Sequence, residues 1–446
     1  GMIRGIEMLP LLLLIGVAIM PNVAEAVTLT IDQAVGMALE RNEDFLVVKT
    51  ELDKADAEVK NAVAGALPHL DFSSSLQRNH EIPTIVFGGE QFRLGTNNDI
   101  NLNLTLTQPI YLGGKVFAAV KIARIYRKYI DEMVRESEAE VVFGVRQAFL
   151  GTILAHDVVE VYRAAVETAE YNLQMVRKLA EQGMVSDYEV LRAEVEAANL
   201  RPQLIQAEND AAIAVDRLKD LIGIDSEEVL ELAYDFDPGL ANRQLSLQSL
   251  QSAATAKRPL LKEQDYYEQL RRKAIAVAKA GGRRPNISLS SGLNWSYQRD
   301  DFNLAADDFT RSWSTTLYFS MPLFDGFAAS AEVKKAKLDH RASQLQLKQA
   351  GDRVEIDVRA AYLQYQESSD RLEAQSRTVD QAAEGLRIAR LRYESGVGTQ
   401  LEVLSAESAL TQARTNYVLA THDAALAVYR LLRVTGIESW DELKEL

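Results

Sequence analysis

The chain has 446 residues, of which 47% are apolar and 25% are charged, so it can bury a large core and is not expected to be disordered. Its formal charge of −15 argues against a surface that binds nucleic acid or anionic lipid, because no basic patch stands out to offset it. It contains no cysteine, so neither a disulfide nor a lipidated cysteine can anchor it.

The first 26 residues are typical of a secretory leader. The stretch from Met8 to Met20 is apolar, and Ala24-Glu25-Ala26 supplies the small residues of a signal-peptidase site. The mature chain then begins at Val27, and no later segment shows the roughly 18 apolar residues that a membrane-spanning helix needs. We therefore expect an exported protein without a transmembrane helix.

A long internal repeat organises the mature chain. Residues 177–201 recur at a fixed shift of 213 positions as residues 390–414, and the same shift relates Pro109 to Pro322. One spacing held over so much of the chain indicates a duplicated unit. The predicted parts are repeat 1 at 27–222, a connection at 223–245, repeat 2 at 246–435 and a tail at 436–446.

Each repeat is expected to contain one very long helix and one returning helix. From Val141 to Ala180 the apolar and small positions alternate in steps of four and three, which is the heptad pattern of a left-handed coiled coil. Shorter helical segments precede each hairpin and have the length to cover the rest of each long helix. The predicted helices are about 31–66, 113–182, 186–222, about 247–280, 326–395 and 399–435.

Two stretches have a period of two instead of a helical period. Ile100, Leu102 and Leu104 alternate with polar residues, and the same alternation recurs in three more segments. The predicted hairpins, 68–109 and 285–322, have strands with the length and the two-faced pattern of membrane-barrel strands. A soluble sandwich is the alternative, but four strands cannot close a barrel. We expect several protomers to contribute two hairpins each to one shared barrel.

Each hairpin must turn into a long helix within a few residues. The first junction contains Pro109, Gly113 and Gly114, and the second contains Pro322 and Gly326. Proline is expected to end the strand ladder because it lacks an N–H, and glycine is expected to allow the sharp turn.

The leader, the duplicated hairpin-and-rod units, the Pro-Gly junctions and the paired tips around Gly183 and Gly396 resemble a TolC-type outer-membrane efflux protein. This family supplies the exit duct of tripartite export machines in Gram-negative bacteria. The resemblance implies a mainly α fold with a membrane β-barrel portion. It further implies a homotrimer in which a twelve-strand β-barrel stands on a long α-helical coiled-coil barrel, with an equatorial belt at 223–245 and 436–446.

The resemblance also implies the partners of the chain. A periplasmic adaptor would dock at the helical tips, an inner-membrane pump would drive the substrate, and outer-membrane lipid would surround the barrel. The predicted adaptor contacts are two turns, whose residues are Gly183, Met184, Val185 and Ser186 in the first repeat and Gly396, Val397, Gly398 and Thr399 in the second.

Two readings compete for the acidic residues beside these turns. Ser186-x-x-Glu189 and Thr399-x-x-Glu402 both match a capping box, which alone would account for the two glutamates. The resemblance implies that Glu189 and Glu402 ring a closed aperture and bond to Tyr393 and to an arginine. The two roles are compatible, since a carboxylate at a helix end can do either as the helices move.

The arginine of that arrangement is missing from its usual place. Gly398 stands where the best-known family member has it, and Ser405 stands where that member has a second aspartate. Arg192 or Arg177 would then have to replace the arginine.

The sequence offers no constellation for catalysis. The five histidines are scattered without metal-ligand spacing, and no phosphate loop, nucleophile elbow or HExxH motif is present. We expect no enzyme activity, no cofactor and no metal site. The alternatives to a duct are a periplasmic coiled-coil adaptor or scaffold without a membrane barrel, and an envelope hydrolase.

Overall fold

A computed structural model describes residues 27–234, 240, 243–282, 284–302 and 305–443. The predicted leader at 1–26 lies outside these residues, as do parts of the 223–245 connection and the last residues of the 436–446 tail. The helices of the described part are α1 Ile31–Arg41, α2 Glu43–Ala64, α3 Lys115–Glu181, α4 Asp187–Ile222, α5 Leu247–Lys257, α6 Pro259–Ala280, α7 Ala328–Glu394, α8 Gln400–Thr435 and α9 Trp440–Leu443. The strands are β1 Val27–Leu29, β2 His69–Arg78, β3 Thr84–Phe87, β4 Glu90–Arg93, β5 Asn98–Leu112, β6 Leu230–Leu232, β7 Asn286–Arg299 and β8 Thr310–Ser320.

The helices form one layer. The long helices α3 and α7 have 67 residues each, about 100 Å, and the returning helices α4 and α8 have 36 each. Near the tips the order across the layer is α4-α3-α8-α7, and nearer the strands it is α2-α3-α6-α7. Both ends of this layer are open, with α7 at one edge and α4 or α2 at the other.

The heptad residues of the two repeats build two matching cores halfway along the long helices. Val145 and Leu218 are fully buried in the first, and their counterparts at the 213 shift, Val358 and Leu431, are fully buried in the second. The first core is extended by β1, which pairs in parallel with β6 and was not predicted.

Each short helical segment predicted as one helix is divided into two at the level of these cores. Asn42 ends α1 and caps α2, because its Oδ1 accepts from the backbone N of Phe45 at 2.9 Å. Pro259 starts α6, where the missing N–H of proline costs no helical hydrogen bond. The glycines that follow α4 and α8 pack closely against these two breaks. A Cβ on Gly223 would lie 2.7 Å from Arg41 Cβ, and a Cβ on Gly436 would lie 3.0 Å from Arg258 Cα.

The two hairpins join into a single antiparallel sheet with the order β2-β5-β7-β8. The register aligns apolar residues across all strands, for example Phe72 with Leu104 and Leu104 with Leu293. The opposite face is polar. Strands β2 and β8 are left as open edges, and β3 and β4 form a small separate hairpin in the loop between β2 and β5.

The first junction differs from the expectation. Pro109 does not end the strand, because β5 continues to Leu112 through a bulge between Pro109 and Tyr111. In the second repeat β8 ends at Ser320, two residues before Pro322. A bulge removes the need for an N–H at the proline, which is why the ladder survives there.

One described helix is apolar enough to cross a membrane by length and composition alone. An 18-residue window of α3 reaches a mean hydropathy of 1.2, although no such segment was expected. Because α3 lies inside the layer, with neighbours on both sides, more than one of its faces is apolar. Within one protomer 22% of that window is buried, so its packing on α2, α4, α6 and α8 covers only part of it.

Candidate functional site

The two helical tips have the same backbone. In the first, the N–H groups of Gly183 and Met184 donate to the carbonyls of Ala180 and Leu179, both at 2.9 Å. In the second, the N–H groups of Gly396 and Val397 donate to the carbonyls of Tyr393 and Arg392, both at 3.0 Å. These two acceptors are the counterparts of Ala180 and Leu179 at the 213 shift. Gly183 and Gly396 share a φ of 73°, the left-handed conformation that ends a helix in this way.

Glu189 joins the two tips. Its Oε2 accepts a hydrogen bond from Tyr393 Oη at 2.9 Å, and its backbone carbonyl accepts from Gln400 Nε2 at 2.8 Å. The first bond links α7 to α4, and the second links the start of α8 to α4. Burial, together with the bond to the Glu189 carboxylate, raises the pKa of Tyr393, so the hydroxyl remains a donor at physiological pH.

The predicted capping boxes are not formed. The Ser186 hydroxyl makes no cap bond, and its carbonyl instead accepts from the Glu189 N–H at 3.0 Å. Thr399 completes half of a box, since its Oγ1 accepts from the Glu402 N–H at 3.3 Å. Both glutamate side chains turn to other helices, which frees them from capping.

The arginine beside this site is Arg392, which was not predicted. Its Nε lies 3.4 Å from Glu402 Oε2, a long contact between two half-exposed side chains. Arg177 pairs with Glu194 at 2.6 Å instead of with Glu189. The side chain of Arg192 forms no hydrogen bond or ion pair with any residue that the structure describes.

Close packing against the end of α7 requires glycine at position 398. A Cβ there would lie 2.9 Å from Arg392 Cβ and 3.0 Å from the Tyr393 N, so any side chain would push against the end of α7. The Gly398 N–H also donates to the Arg392 carbonyl at 2.9 Å. An arginine is therefore excluded at 398, and Arg392, directly beneath it, supplies the positive charge near Glu402.

A second ion pair is repeated between the copies but differs in burial. Arg177–Glu194 lies at the surface, whereas its counterpart at the 213 shift, Arg390–Glu407, is 3.1 Å long and has a Glu407 side chain that is only 8% exposed. Oε2 of Glu407 accepts no hydrogen bond from the residues that the structure describes. Burial raises the pKa of Glu407 and outweighs the opposing attraction of Arg390.

The turns themselves present apolar side chains to solvent. Met184 is 68% exposed and Val397 is 72% exposed, whereas Val185 packs into the cluster that joins the two tips. Among the residues that the structure describes, no group of three or more histidine, cysteine or acidic side chains is placed to hold a metal ion.

Sequence reasoning located Tyr393 and Glu189 but missed Gln400 and Arg392. The sequence signal for Arg392 was its place next to Tyr393 at the end of a long helix. Nothing in the local sequence indicates that Gln400 reaches across to α4, because that contact depends on how the two hairpins pack.

A family model described as outer membrane efflux protein matches residues 34–224 and 250–437, one match to each repeat. The cobalt-zinc-cadmium resistance protein CzcC of Cupriavidus metallidurans is 23% identical over 91% of this chain and 90% of its own length. The alkaline protease secretion protein AprF of Pseudomonas aeruginosa is 24% identical over 90% of this chain and 83% of its own length.

Solved channels have the same fold. The outer membrane channel CmeC of Campylobacter jejuni superposes with a TM-score of 0.79 at 17% identity, covering 93% of this chain and 88% of its own. The open state of the outer membrane channel MtrE of Neisseria gonorrhoeae superposes with a TM-score of 0.75 at 18% identity, covering 92% of this chain and 89% of its own.

Proposed function

The chain belongs to the outer membrane efflux protein family, and we propose that three copies of it form one exit duct that is closed at the helical tips. As a family member it is an outer-membrane channel that reaches into the periplasm and conducts substrates outward in efflux or type I secretion. The trimer, the lipid contact, the gate and the adaptor contact are the proposed parts.

The main support for the proposal is the exposed apolar face of the sheet and its two open edges. Its apolar face is exposed, with Phe72, Trp313 and Phe319 each about two-thirds uncovered or more, and both its edges are open. An apolar face exposed to water would be unstable, and lipid removes that cost. Three four-stranded sheets joined edge to edge give a closed barrel of twelve strands with the polar face inside.

The helix layer supports the same assembly. Near the tips, α7 at one edge exposes Ile388 and Leu391, while α4 at the other exposes Tyr188, Leu191 and Val195. Joining α7 of one protomer to α4 of the next would bury both stripes and continue the coiled coil around a ring.

The bonds to Glu189 are proposed as a latch of the closed tip. Opening a ring of helices requires the α7–α8 hairpin to move away from α4, which breaks the Tyr393 and Gln400 bonds together. Arg392 and Glu402 would add a weaker, solvent-screened contact. The MtrE channel was solved in an open state, which supports the view that a duct of this fold can open.

The exposed Met184 and Val397 turns are proposed as the contact for a periplasmic adaptor. Free loops are usually polar, and two apolar turns at equivalent positions of both repeats match a docking surface. The relatives' names refer to metal resistance in one case and to protease secretion in the other. That range supports a passive duct, without enzyme activity or cofactor, whose cargo is chosen by a pump and adaptor.

Membrane fractionation tests the proposal. The protein should be found in the outer membrane, be released only by detergent and run as a trimer. Recovery from the periplasm as a soluble species would favour the coiled-coil scaffold instead.

A further inference from the structure

The first turns of α3 carry a stripe of basic residues on one face. Lys121, Arg124 and Lys128 are spaced by three and four residues, which places them on the same side of the helix, and all three are exposed. No acidic residue occurs in α3 before Asp131, so this end of the helix is locally positive. The net charge of the whole chain conceals it.

The stripe is duplicated. At the 213 shift, Lys121, Arg124 and Lys128 become Lys334, Lys337 and Arg341 of α7, and these three are also exposed. The acidic residues in these turns of α7, Glu332 and Asp339, lie on the opposite face at 100° per residue. Two copies with little other identity in these turns have kept the same three charges.

Few contacts within the chain engage these charges; Arg341 Nη1 donates to Gln344 Oε1 at 3.4 Å, within α7. Within the part of the chain that the structure describes, none of the six basic residues forms an ion pair with a carboxylate. Lys121 Nζ instead lies 4.3 Å from the centroid of the Phe117 ring, and Lys128 Nζ lies 6.0 Å from that of Tyr266. Unpaired basic side chains at equivalent positions of both repeats indicate an anionic partner outside the protomer.

An exposed aromatic collar adjoins the stripe on the strand side. Phe117, which is 68% exposed, lies on the same face as Lys121, while Phe324 and Phe327 are about as exposed at the second junction. Phe327 is held there at a φ of 69°, where its counterpart in the first repeat is Gly114. Aromatic rings at the end of an apolar sheet face mark a lipid-water interface.

We propose that the basic stripes bind the phosphate groups of anionic phospholipids in the periplasmic leaflet of the outer membrane. The inference rests on the proposed placement of the sheet in that membrane. Lys121 is about 9 Å and Lys128 about 20 Å along α3 from its first residue. Both stripes lie at helix N-termini, so their side chains lean towards the sheet and bring the ammonium and guanidinium groups nearer to the headgroups.

The net charge suggested that this protein avoids anionic lipid, but the charge near the membrane surface decides that attraction. The charge of −15 is a sum over the whole chain, whereas surface attraction acts within about 8 Å at physiological salt. Within a distance of that order the headgroups meet the sheet-side turns of α3, which carry Lys121 and have no acidic residue before Asp131.

Lipid selectivity in bilayers tests the proposal. The intact trimer is reconstituted in phosphatidylethanolamine, and spin-labelled phosphatidylglycerol and phosphatidylcholine report the lipid at the protein surface. We expect the wild type to prefer phosphatidylglycerol about fivefold and to lose the preference at about 1 M salt. Replacing all six basic residues by glutamine should bring the ratio to about one, and replacing either stripe alone should give an intermediate ratio.

A matched control removes three exposed basic residues far from the sheet, Lys178, Arg377 and Arg387, and should keep the wild-type preference. Equal affinity of the wild type for both lipids, or an unchanged ratio in the glutamine variants, overturns the inference. An unchanged ratio with a shifted reversal potential would place the stripe on the channel wall instead.

Single-channel conductance separates the two claims. A conducting pore without lipid preference removes only the inference, whereas absence of any pore removes the proposed duct.

Discussion

At the residue scale, the proposed closure of the tip rests on one glutamate that receives two bonds from a different hairpin. Glu189 accepts from Tyr393 through its side chain and from Gln400 through its backbone. The backbone bond survives any substitution of Glu189, so the side-chain bond is the part that mutation can remove. Capping is not the function of this glutamate, because the Ser186 hydroxyl is not engaged.

Replacing Tyr393 by phenylalanine should raise channel conductance in planar bilayers. The substitution removes the hydroxyl that donates to a carboxylate, a bond worth about 1.5 kcal/mol, or a tenfold change in the closed-to-open ratio. Tyr171→Phe is the control, since that ring is exposed on α3 and its hydroxyl bonds to none of the described residues. Equal conductance of the two variants would remove Tyr393 from the latch.

The buried Glu407 should make stability depend on pH. Its folded pKa is raised, so its favourable contribution is present below the unfolded pKa and is lost as the pH rises through the folded pKa. Glu407→Gln removes the buried charge and keeps an acceptor for Arg390. We expect the variant to have a higher Tm than the wild type at pH 8 and a similar one near pH 4.

Glu194→Gln provides the control for that comparison, because the same ion pair lies at the surface in the first repeat. Its Tm difference from the wild type should be small at both pH values. A Glu407→Gln protein that is less stable than the wild type at pH 8 would show that the Arg390 attraction prevails over burial.

At the scale of elements, the two strand-to-helix junctions use left-handed residues for different reasons. A Cβ on Gly113 would lie 2.8 Å from the Ala280 carbonyl oxygen, whereas none of the described atoms lies within 4 Å of one on Gly326. Both residues have a φ near 64°. The first junction therefore needs glycine for space and conformation, and the second for conformation only.

Gly113→Ala should destabilise the protein more than Gly326→Ala. The second change costs the left-handed strain alone, about 1 to 2 kcal/mol, and the first adds a clash with backbone that cannot move freely. The temperature at which trimers dissociate in detergent measures both. Equal losses would mean that the Ala280 contact relaxes without cost.

The periodic elements could be predicted from the sequence, and the contacts between them largely could not. Heptads and alternation predicted α3, α7 and the four long strands within a few residues. The divisions at Asn42 and Pro259 were missed because apolar periodicity continues through them, although an asparagine before two acidic residues and a proline are both helix-start signals.

Two further features could not be predicted because they depend on tertiary structure. Pro109 remains within β5 because a bulge forms opposite β7, and Gln400 reaches Glu189 because the two hairpins pack side by side. Neither partner is close in sequence. The basic stripes recur in the sequence at the 213 shift, but the negative net charge of the whole chain conceals them.

At the scale of the whole molecule, an open sheet and an open helix layer share the same two edges. Strands β2 and β8 bound the sheet, while α7 and the pair α2 and α4 bound the layer. A single rotation that joins β8 to β2 of the next copy would also join α7 to α4. Twelve strands and a matching ring of helices then close together, without any edge exposed to lipid.

Disulfide trapping across the strand edges measures this closure most directly, since the natural chain has no cysteine. One cysteine replaces Ser73 on β2, and a second is placed in turn at Ser312, Ser314 and Thr316 on β8. The account predicts that at least one pair oxidises to covalent trimers in outer membranes, with no larger product. Monomeric products across the whole scan, from a protein that folds without detergent, would contradict it.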